Sequence, residues 1–162
     1  MHLSALIAAL ALPWGCPATF HGLPSRWTHS DSGPILIGDW PATTTSWAST
    51  GRSGLLSALP RNGVYVEVIL TRPAAGLRGV TVRPFVRHPR LARLSVAVFP
   101  KGPPGRGFQR VLARFDHNYD VDLQVIYEQR RPIRATIADA QLAIDALRWP
   151  RWPRRAKSPP CA

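Results

Sequence analysis

The chain has 162 residues, enough for one domain of ordinary size and too few for two independently cored domains. Hydrophobic residues make up 45% and charged residues 19%, so the composition excludes an intrinsically disordered protein. Seventeen prolines and twelve glycines exclude a long helical bundle, because both residues interrupt helices. Lysine and arginine outnumber aspartate and glutamate by 21 to 9, a formal net charge of +12 that could attract nucleic acid, an anionic membrane surface or an acidic partner.

The charge is unevenly distributed along the chain. Residues 61–115 carry eleven basic residues against one acid, a net charge of +10, and the last fifteen residues carry five basic residues and no acid. Residues 116–147 are net −3, so this acidic part can pair with the basic middle. Of the 21 basic residues, 19 are arginine. Selection for charge alone has no reason to avoid lysine, so this preference for arginine also fits coding from a GC-rich genome.

An apolar run at residues 3–12 precedes the first prolines. It is shorter than the ~20 residues of a membrane-spanning helix and has the size of a signal-peptide hydrophobic region. Ala9-Leu10-Ala11 is a cleavage-like triplet, and Cys16 resembles the end of a lipoprotein box, although Pro13 and Trp14 depart from that box. The run favours an extracytoplasmic or cell-envelope location. A cytoplasmic amphipathic cap and a misassigned start codon are the alternatives.

Composition divides the chain into three parts. Residues 1–34, rich in proline, glycine and serine after the apolar run, are predicted to be a leader and linker. Residues 35–149 are predicted to form a single domain. Residues 150–162 are predicted to be a disordered basic tail of tryptophan, proline and arginine.

The first half of the predicted domain contains three strand signals. Ile35-Leu36-Ile37 and the β-prone stretch Thr43–Thr50 predict a small edge hairpin. Arg61-Asn62-Gly63 is a turn signal. Val64–Thr71 then places its valines and Leu70 on one face, which predicts the strongest strand of the chain.

The second half contains shorter alternating runs and one hairpin. The run Val80–Arg87 contains Pro84, which restricts it to an edge strand or an extended connection. Leu94–Phe99 alternates again. Phe108–Phe115 and Tyr119–Glu128 predict the clearest hairpin, with one face apolar and the other turned to water.

Helix signals concentrate at the end of the domain. Thr136 and Asp139 resemble a capping box, Arg148 is expected in the last turn, and Pro150 is expected to stop the helix. The expected apolar contacts of the helix are Ile137, Ala140, Leu142, Ile144 and Leu147. The predicted fold is therefore α+β: an antiparallel sheet of about five strands with one C-terminal helix packed on its apolar face.

Two short sequences carry a resemblance to known proteins. With Gly63-Val64-Tyr65-Val66 and Ala143-Ile144-Asp145-Ala146-Leu147, roughly residues 33–149 resemble small bacterial domains of no assigned function that often follow an export leader. The resemblance implies a fold and an extracytoplasmic location, and it carries no catalytic residue.

The sequence contains no complete catalytic or metal-binding motif. The carboxylates of Asp116–Asp122 match the start of a calcium loop, but Val121 stands at the turn glycine and Tyr127 at the bidentate acid, which favours a polar turn. Gly51-Arg52-Ser53-Gly54 lacks the last glycine of a nucleophile elbow. We therefore predict no catalytic residue, metal or cofactor. A small hydrolase built around His117 remains a minor alternative.

Arginines cluster in the basic middle of the chain, at Arg78, Arg83, Arg87, Arg90 and Arg93, with His88 among them. Charged residues at a sheet edge commonly prevent strand-to-strand aggregation, and that interpretation is favoured here. The second interpretation is an anion-binding surface.

The tail alternates cations with large rings and resembles short membrane-active peptides rich in tryptophan and arginine. Indole rings prefer the headgroup level of a bilayer, and guanidinium groups bind lipid phosphate. The alternative is that Trp149 packs under the domain and the rest is solvated. The tail residues concerned are Arg148, Trp149, Arg151, Trp152, Arg154 and Arg155.

The leading functional hypothesis is a non-catalytic binding module of the cell envelope, whose basic edge and tail contact an anionic membrane surface or an acidic partner. The alternative is a cytoplasmic nucleic-acid-binding protein, for which the same charge of +12 argues.

Overall fold

The computed structural model describes residues 18–37, 40–49, 56, 59–71, 83–99, 105–115 and 119–150. These residues form nine strands, one α-helix and a short 3-10 helix at Leu91–Arg93. The strands are β1 (Thr19–Phe20), β2 (Thr28–Ile37), β3 (Trp40–Ala48), β4 (Val64–Thr71), β5 (Arg83–Pro84), β6 (Ala97–Val98), β7 (Gly107–Phe115), β8 (Tyr119–Tyr127) and β9 (Leu147–Arg148), and the helix is α1 (Arg134–Asp145).

The described residues form mostly sheet with one α-helix, as predicted, but the main sheet is larger than predicted. It has seven strands in the order β2-β3-β4-β8-β7-β5, and β6 also pairs with β7. The five long strands run antiparallel to their neighbours, whereas β5 is parallel to β7, so the sheet is mixed. The prediction of an antiparallel sheet of about five strands was wrong in the number of strands and in the direction of one of them, because β5, inside the predicted edge run Val80–Arg87, pairs in parallel with β7. Alternation along one segment indicates a strand, but it does not indicate which strand will be its neighbour or in which direction the two will run.

The strongest sequence signals have the expected bounds. β4 covers the predicted Val64–Thr71, and Asn62 before it has the left-handed φ of 62° typical of a tight turn. A side chain at Gly63 would lie 2.7 Å from the Pro60 carbonyl oxygen, so this turn requires glycine. β7 and β8 form the predicted hairpin.

The ordered structure extends further toward the N-terminus than the predicted boundary. β2 begins at Thr28, inside the segment predicted to be a linker, and β1 pairs with β9. The Thr45 hydroxyl donates to the Ala18 carbonyl over 2.7 Å. Ala18 and Trp27 are both buried in the core, and this apolar anchoring orders a segment that its prolines and glycines predict to be irregular.

The helix differs from its prediction at both ends. It begins at Arg134, and no side chain caps it, so the predicted capping box at Thr136 and Asp139 was wrong. Thr136 is instead buried, and Asp139 forms an ion pair with Arg26. The helix ends before Arg148, which lies in β9 rather than in the last helical turn.

Helix α1 covers one face of the sheet through Ala140, Ala143 and Ile144. Leu142, predicted to contact the core, is 49% exposed. The opposite face carries a smaller apolar cluster around Tyr65 and Ile126 and the ion pairs of Asp120 and Asp122 with arginines of β7. The helix-side core is built on alternate residues of β4 and β8, namely Val64, Val66, Val68, Leu70, Val121, Leu123, Val125 and Tyr127.

Candidate anion-binding groove

A groove of about 540 Å³ lies at the outer edge of β7, between the ends of β5 and β6. Its floor is β7, and its walls are β5 on one side and the chain before β6 on the other. Four arginines line it, Arg83, Arg90, Arg93 and Arg110, together with His88. The groove therefore concentrates positive charge around an open strand edge.

Gln109 holds one wall of the groove in place. Its side-chain amide donates to the Leu91 carbonyl over 2.9 Å and to the Leu94 carbonyl over 2.8 Å, which fixes both ends of the 3-10 helix. Its own carbonyl accepts a hydrogen bond of 2.6 Å from the Tyr127 hydroxyl. Burial raises the pKa of Tyr127, so the hydroxyl stays protonated and remains a donor. This buried polar network ties the arginine-bearing segment to the sheet.

Helix α1 holds the same segment from its other side. The Gln141 side chain accepts a hydrogen bond of 2.9 Å from the Leu91 backbone N–H and donates to the Pro89 carbonyl over 3.2 Å. His88 Nε2 lies 3.3 Å from the Leu147 carbonyl and donates to it. The segment from His88 to Leu94 is thus fastened to α1, β7 and β9, and its arginines project from a fixed backbone.

The four arginines of the groove differ in their partners. Arg110 makes a bidentate pair with Asp122, at 2.8 and 2.7 Å. That hydrogen bonding, with a smaller contribution from the charge of Asp122, raises the pKa of Arg110 against the opposing effect of burial. Arg90 lies 3.7 Å from Asp145 in an exposed, weak pair. Arg83 and Arg93 are exposed and make no ion pair or side-chain hydrogen bond with any described residue.

Of the five clustered arginines considered for an anion-binding surface, the structure describes four and brings three of them together. Arg83, Arg90 and Arg93 line the groove, and Arg87 does not. The Arg87 carbonyl instead accepts a hydrogen bond of 2.9 Å from the Trp149 indole.

The tail residues that the structure describes lie against or beside the domain. The Trp149 ring packs edge-on against Phe85, with ring centres 4.9 Å apart, as in the packed alternative for this residue. Arg148 is exposed in β9. The other predicted site residues, Arg151, Trp152, Arg154 and Arg155, lie outside the described residues, as does Arg78.

Sequence reasoning missed Arg110 as a groove residue. The alternation of β7 places Arg110 on the sheet face opposite the helix, and its partner Asp122 stands on the neighbouring strand. The hairpin register would have been the signal for this pair, because Arg110 and Asp122 both fall on the polar side of their strands. Nothing in the sequence indicates that the groove opens beside this residue.

The two described carboxylates of the calcium-like pattern are paired with arginines. Asp122 is paired with Arg110, and Asp120, almost fully buried, lies 3.1 Å from Arg114. Among the described residues there is no cluster of three or more His, Cys, Asp or Glu side chains with metal-binding geometry. His117, both cysteines and the segment Gly51-Arg52-Ser53-Gly54 lie outside the described residues.

The groove can bind an anion of small size. Two guanidinium groups that have no partner among the described residues, with a third held only weakly, can each offer a planar pair of donors to a carboxylate or phosphate. No helix in the described part of the chain has the length and apolar character needed to cross a bilayer. No family model matches the chain, and no curated protein and no solved structure matches it either.

Proposed function

We propose that the protein is a non-catalytic binding module of the cell envelope, whose arginine-lined groove and C-terminal tail contact an anionic surface. The observation that carries this proposal is the convergence of Arg83, Arg90 and Arg93 on one groove, with Arg83 and Arg93 unpaired among the described residues. An arginine kept only to discourage aggregation has no need to face a shared concavity.

The rim of the groove also suits an interface that is partly apolar. Val86 lines the groove and is 58% exposed, beside the arginines. Apolar and guanidinium groups side by side match the boundary region of an anionic bilayer, where acyl chains and phosphates meet. The tail, with its alternating arginine and tryptophan, also carries guanidinium groups beside apolar rings.

Vesicle sedimentation tests the proposal. Vesicles of phosphatidylglycerol and phosphatidylcholine are expected to retain the full chain, and vesicles of phosphatidylcholine alone are not. A chain truncated after Trp149 keeps the contact with Phe85 and should bind the anionic vesicles more weakly. The variant Arg83→Gln with Arg93→Gln should bind more weakly as well, because each substitution removes one surface cation, worth about 1 kcal/mol at an anionic membrane.

The outcomes separate the parts of the proposal. Equal binding by the full and truncated chains removes the tail from the proposal, and equal binding by the groove variant removes the groove. No binding to anionic vesicles, together with binding to duplex DNA that falls steeply with salt, would replace it with the nucleic-acid alternative.

A further inference from the structure

The outer edge of β7 is interrupted at the groove. β6 pairs with Gly107 and Phe108, and β5 pairs with Ala113 and Arg114. Between these two short ladders, no described residue pairs with β7 at positions 109–112 on its outer side, while its inner side pairs with β8 throughout. The groove therefore sits over a gap of four residues in the sheet edge.

The backbone of Arg110 faces this gap. The Gly107 N–H donates to the Gln129 carbonyl, on the β8 side of β7. The Arg106 carbonyl accepts from the Phe99 N–H, on the β6 side. Successive residues of a strand direct their backbone groups to opposite edges, so Arg110, four residues after Arg106, presents its N–H and its carbonyl outward. A residue placed beside Arg110 could accept from that N–H and donate to that carbonyl, as in an antiparallel pair.

Arg83 and Arg93, which have no partner in the described part of the chain, stand on the helix side of the gap. Arg83 is opposite Ala113, whose partner Val121 belongs to the helix-side core. Arg93 belongs to the 3-10 helix that Gln109 holds from the same side of the sheet. A residue paired with Arg110 would point its side chain to the opposite face, so its two neighbours would point toward the arginines.

We propose that the groove binds an acidic peptide in an extended conformation, which adds to β7 as a short strand. The central residue pairs with the backbone of Arg110, and acidic residues on either side of it bind Arg83 and Arg93. The expected pattern is acid, any residue, acid. This inference rests on the proposed function, because the same guanidinium groups must bind anions, and it names a partner for them.

A peptide fits the gap better than a lipid headgroup or a nucleic acid does. Strand addition uses backbone N–H and carbonyl groups for affinity and side chains for specificity. Phosphates and sugars can satisfy an arginine, but they do not offer a donor and an acceptor at the spacing of a strand. The open backbone of Arg110 therefore distinguishes a peptide from the other anions that the groove could attract.

Fluorescence anisotropy with a labelled pentapeptide, acetyl-Ser-Glu-Val-Glu-Ser-amide, tests the inference on the full chain. We expect saturable binding that weakens about tenfold or more when the valine nitrogen is methylated, because methylation removes the donor to the Arg110 carbonyl without changing the charge. A peptide with the order Ser-Glu-Glu-Val-Ser has the same composition and charge. It should also bind more weakly, since its acids point to opposite faces.

Charge variants assign the binding to the groove. The double variant Arg83→Gln with Arg93→Gln should bind the first peptide about tenfold more weakly or worse. The matched control is Arg61→Gln with Arg131→Gln, which removes the same charge from two exposed positions that do not line the groove. It should bind within about twofold of the native chain, in keeping with the small long-range effect of screened charges.

Each outcome has a separate meaning. If the methylated and native peptides bind equally, strand addition is wrong, although anion binding stands. If anionic vesicles bind and the peptides do not, the inference fails and the proposed function survives. If neither vesicles nor peptides bind, both fail. Loss of binding by both double variants alike would show a general charge effect and would also overturn the inference.

Discussion

On the helix side of the sheet, β4 and β8 each contribute four residues to a continuous apolar layer under α1. Along the outer edge of β7 the structure is discontinuous: two strands of two residues each leave a gap lined by arginines. In the first region the apolar side chains are buried against one another. In the second, two arginines and part of a strand edge have no partner among the described residues.

The comparison separates the residues that stabilise the fold from those available for binding. Burial of apolar side chains is the main favourable contribution to folding, whereas exposed charges contribute little. Substitutions in the helix-side core should therefore lower stability, and substitutions at the outer edge of β7 should weaken binding. Gln109 stands at the boundary, because it is buried yet holds the wall of the groove.

The largest effect is expected in the helix-covered core. Ile144→Ala should lower the free energy of unfolding by about 2–5 kcal/mol, because the residue is fully buried and its loss leaves a cavity. Urea unfolding measures the change. Leu142→Ala, on the exposed side of the same helix, is the control and should stay within about 0.5 kcal/mol. Equal losses at the two positions would contradict the packing of α1 described here.

A smaller loss is expected at the boundary between the two regions. Gln109→Leu keeps the size of the side chain but leaves the Tyr127 hydroxyl and the Leu91 and Leu94 carbonyls without this partner. The free energy of unfolding should fall by about 1–3 kcal/mol, the usual cost of burying unsatisfied polar groups. Peptide binding should weaken too, because the arginine-bearing wall is released. Unchanged stability, measured by urea unfolding, would show that the network does not hold the wall.

The pH dependence of stability tests the same network. Because burial raises the pKa of Tyr127 above its ordinary value of 10, the folded chain keeps this proton where the unfolded chain loses it. The contribution of the Tyr127 proton to the free energy of unfolding is fully present below pH 10. Above pH 10 the unfolded state binds fewer protons, so stability falls with rising pH by up to about 1.4 kcal/mol per pH unit from this group.

Tyr127→Phe isolates that contribution. The variant should be less stable than the native chain at neutral pH, and the difference should shrink as the pH rises above 10. Urea unfolding at several pH values measures both chains. Parallel pH profiles would mean that Tyr127 is not protected from ionisation.

The smallest effect on stability is expected in the groove. The double variant Arg83→Gln with Arg93→Gln should change the free energy of unfolding by no more than about 0.5 kcal/mol, since neither side chain has a partner among the described residues. Thermal unfolding followed by circular dichroism measures it. A large loss would indicate that these arginines stabilise the domain.

The sequence predicts the parts of the fold that repeat a local pattern. Val64–Thr71 and β8 alternate with their valines and leucines on one face, and the helix has apolar residues at helical spacing, so their positions follow from hydrophobic periodicity. β1 and β9 have two residues each and pair across almost the whole described chain, and β5 and β6 keep only two residues each of the runs Val80–Arg87 and Leu94–Phe99. Their pairing is set by tertiary packing, which no local pattern contains.

The candidate site is predictable in part for the same reason. The arginines at 83, 90 and 93 stand close together in the sequence, so a basic cluster is visible there. The gap beside Arg110 depends on where two short strands begin and end relative to β7. The sequence therefore predicts the charge of the groove but neither its shape nor its open strand edge.

The pairing of β1 with β9 places Thr19 opposite Arg148, so the described part of the chain enters and leaves the domain at adjacent points. A contact made at Thr19 and a contact made at Arg148 would therefore reach a target from the same side of the domain. Attachment at one of these two strands would hold the other near the same target and raise its effective local concentration, so two weak attachments would act as one strong attachment.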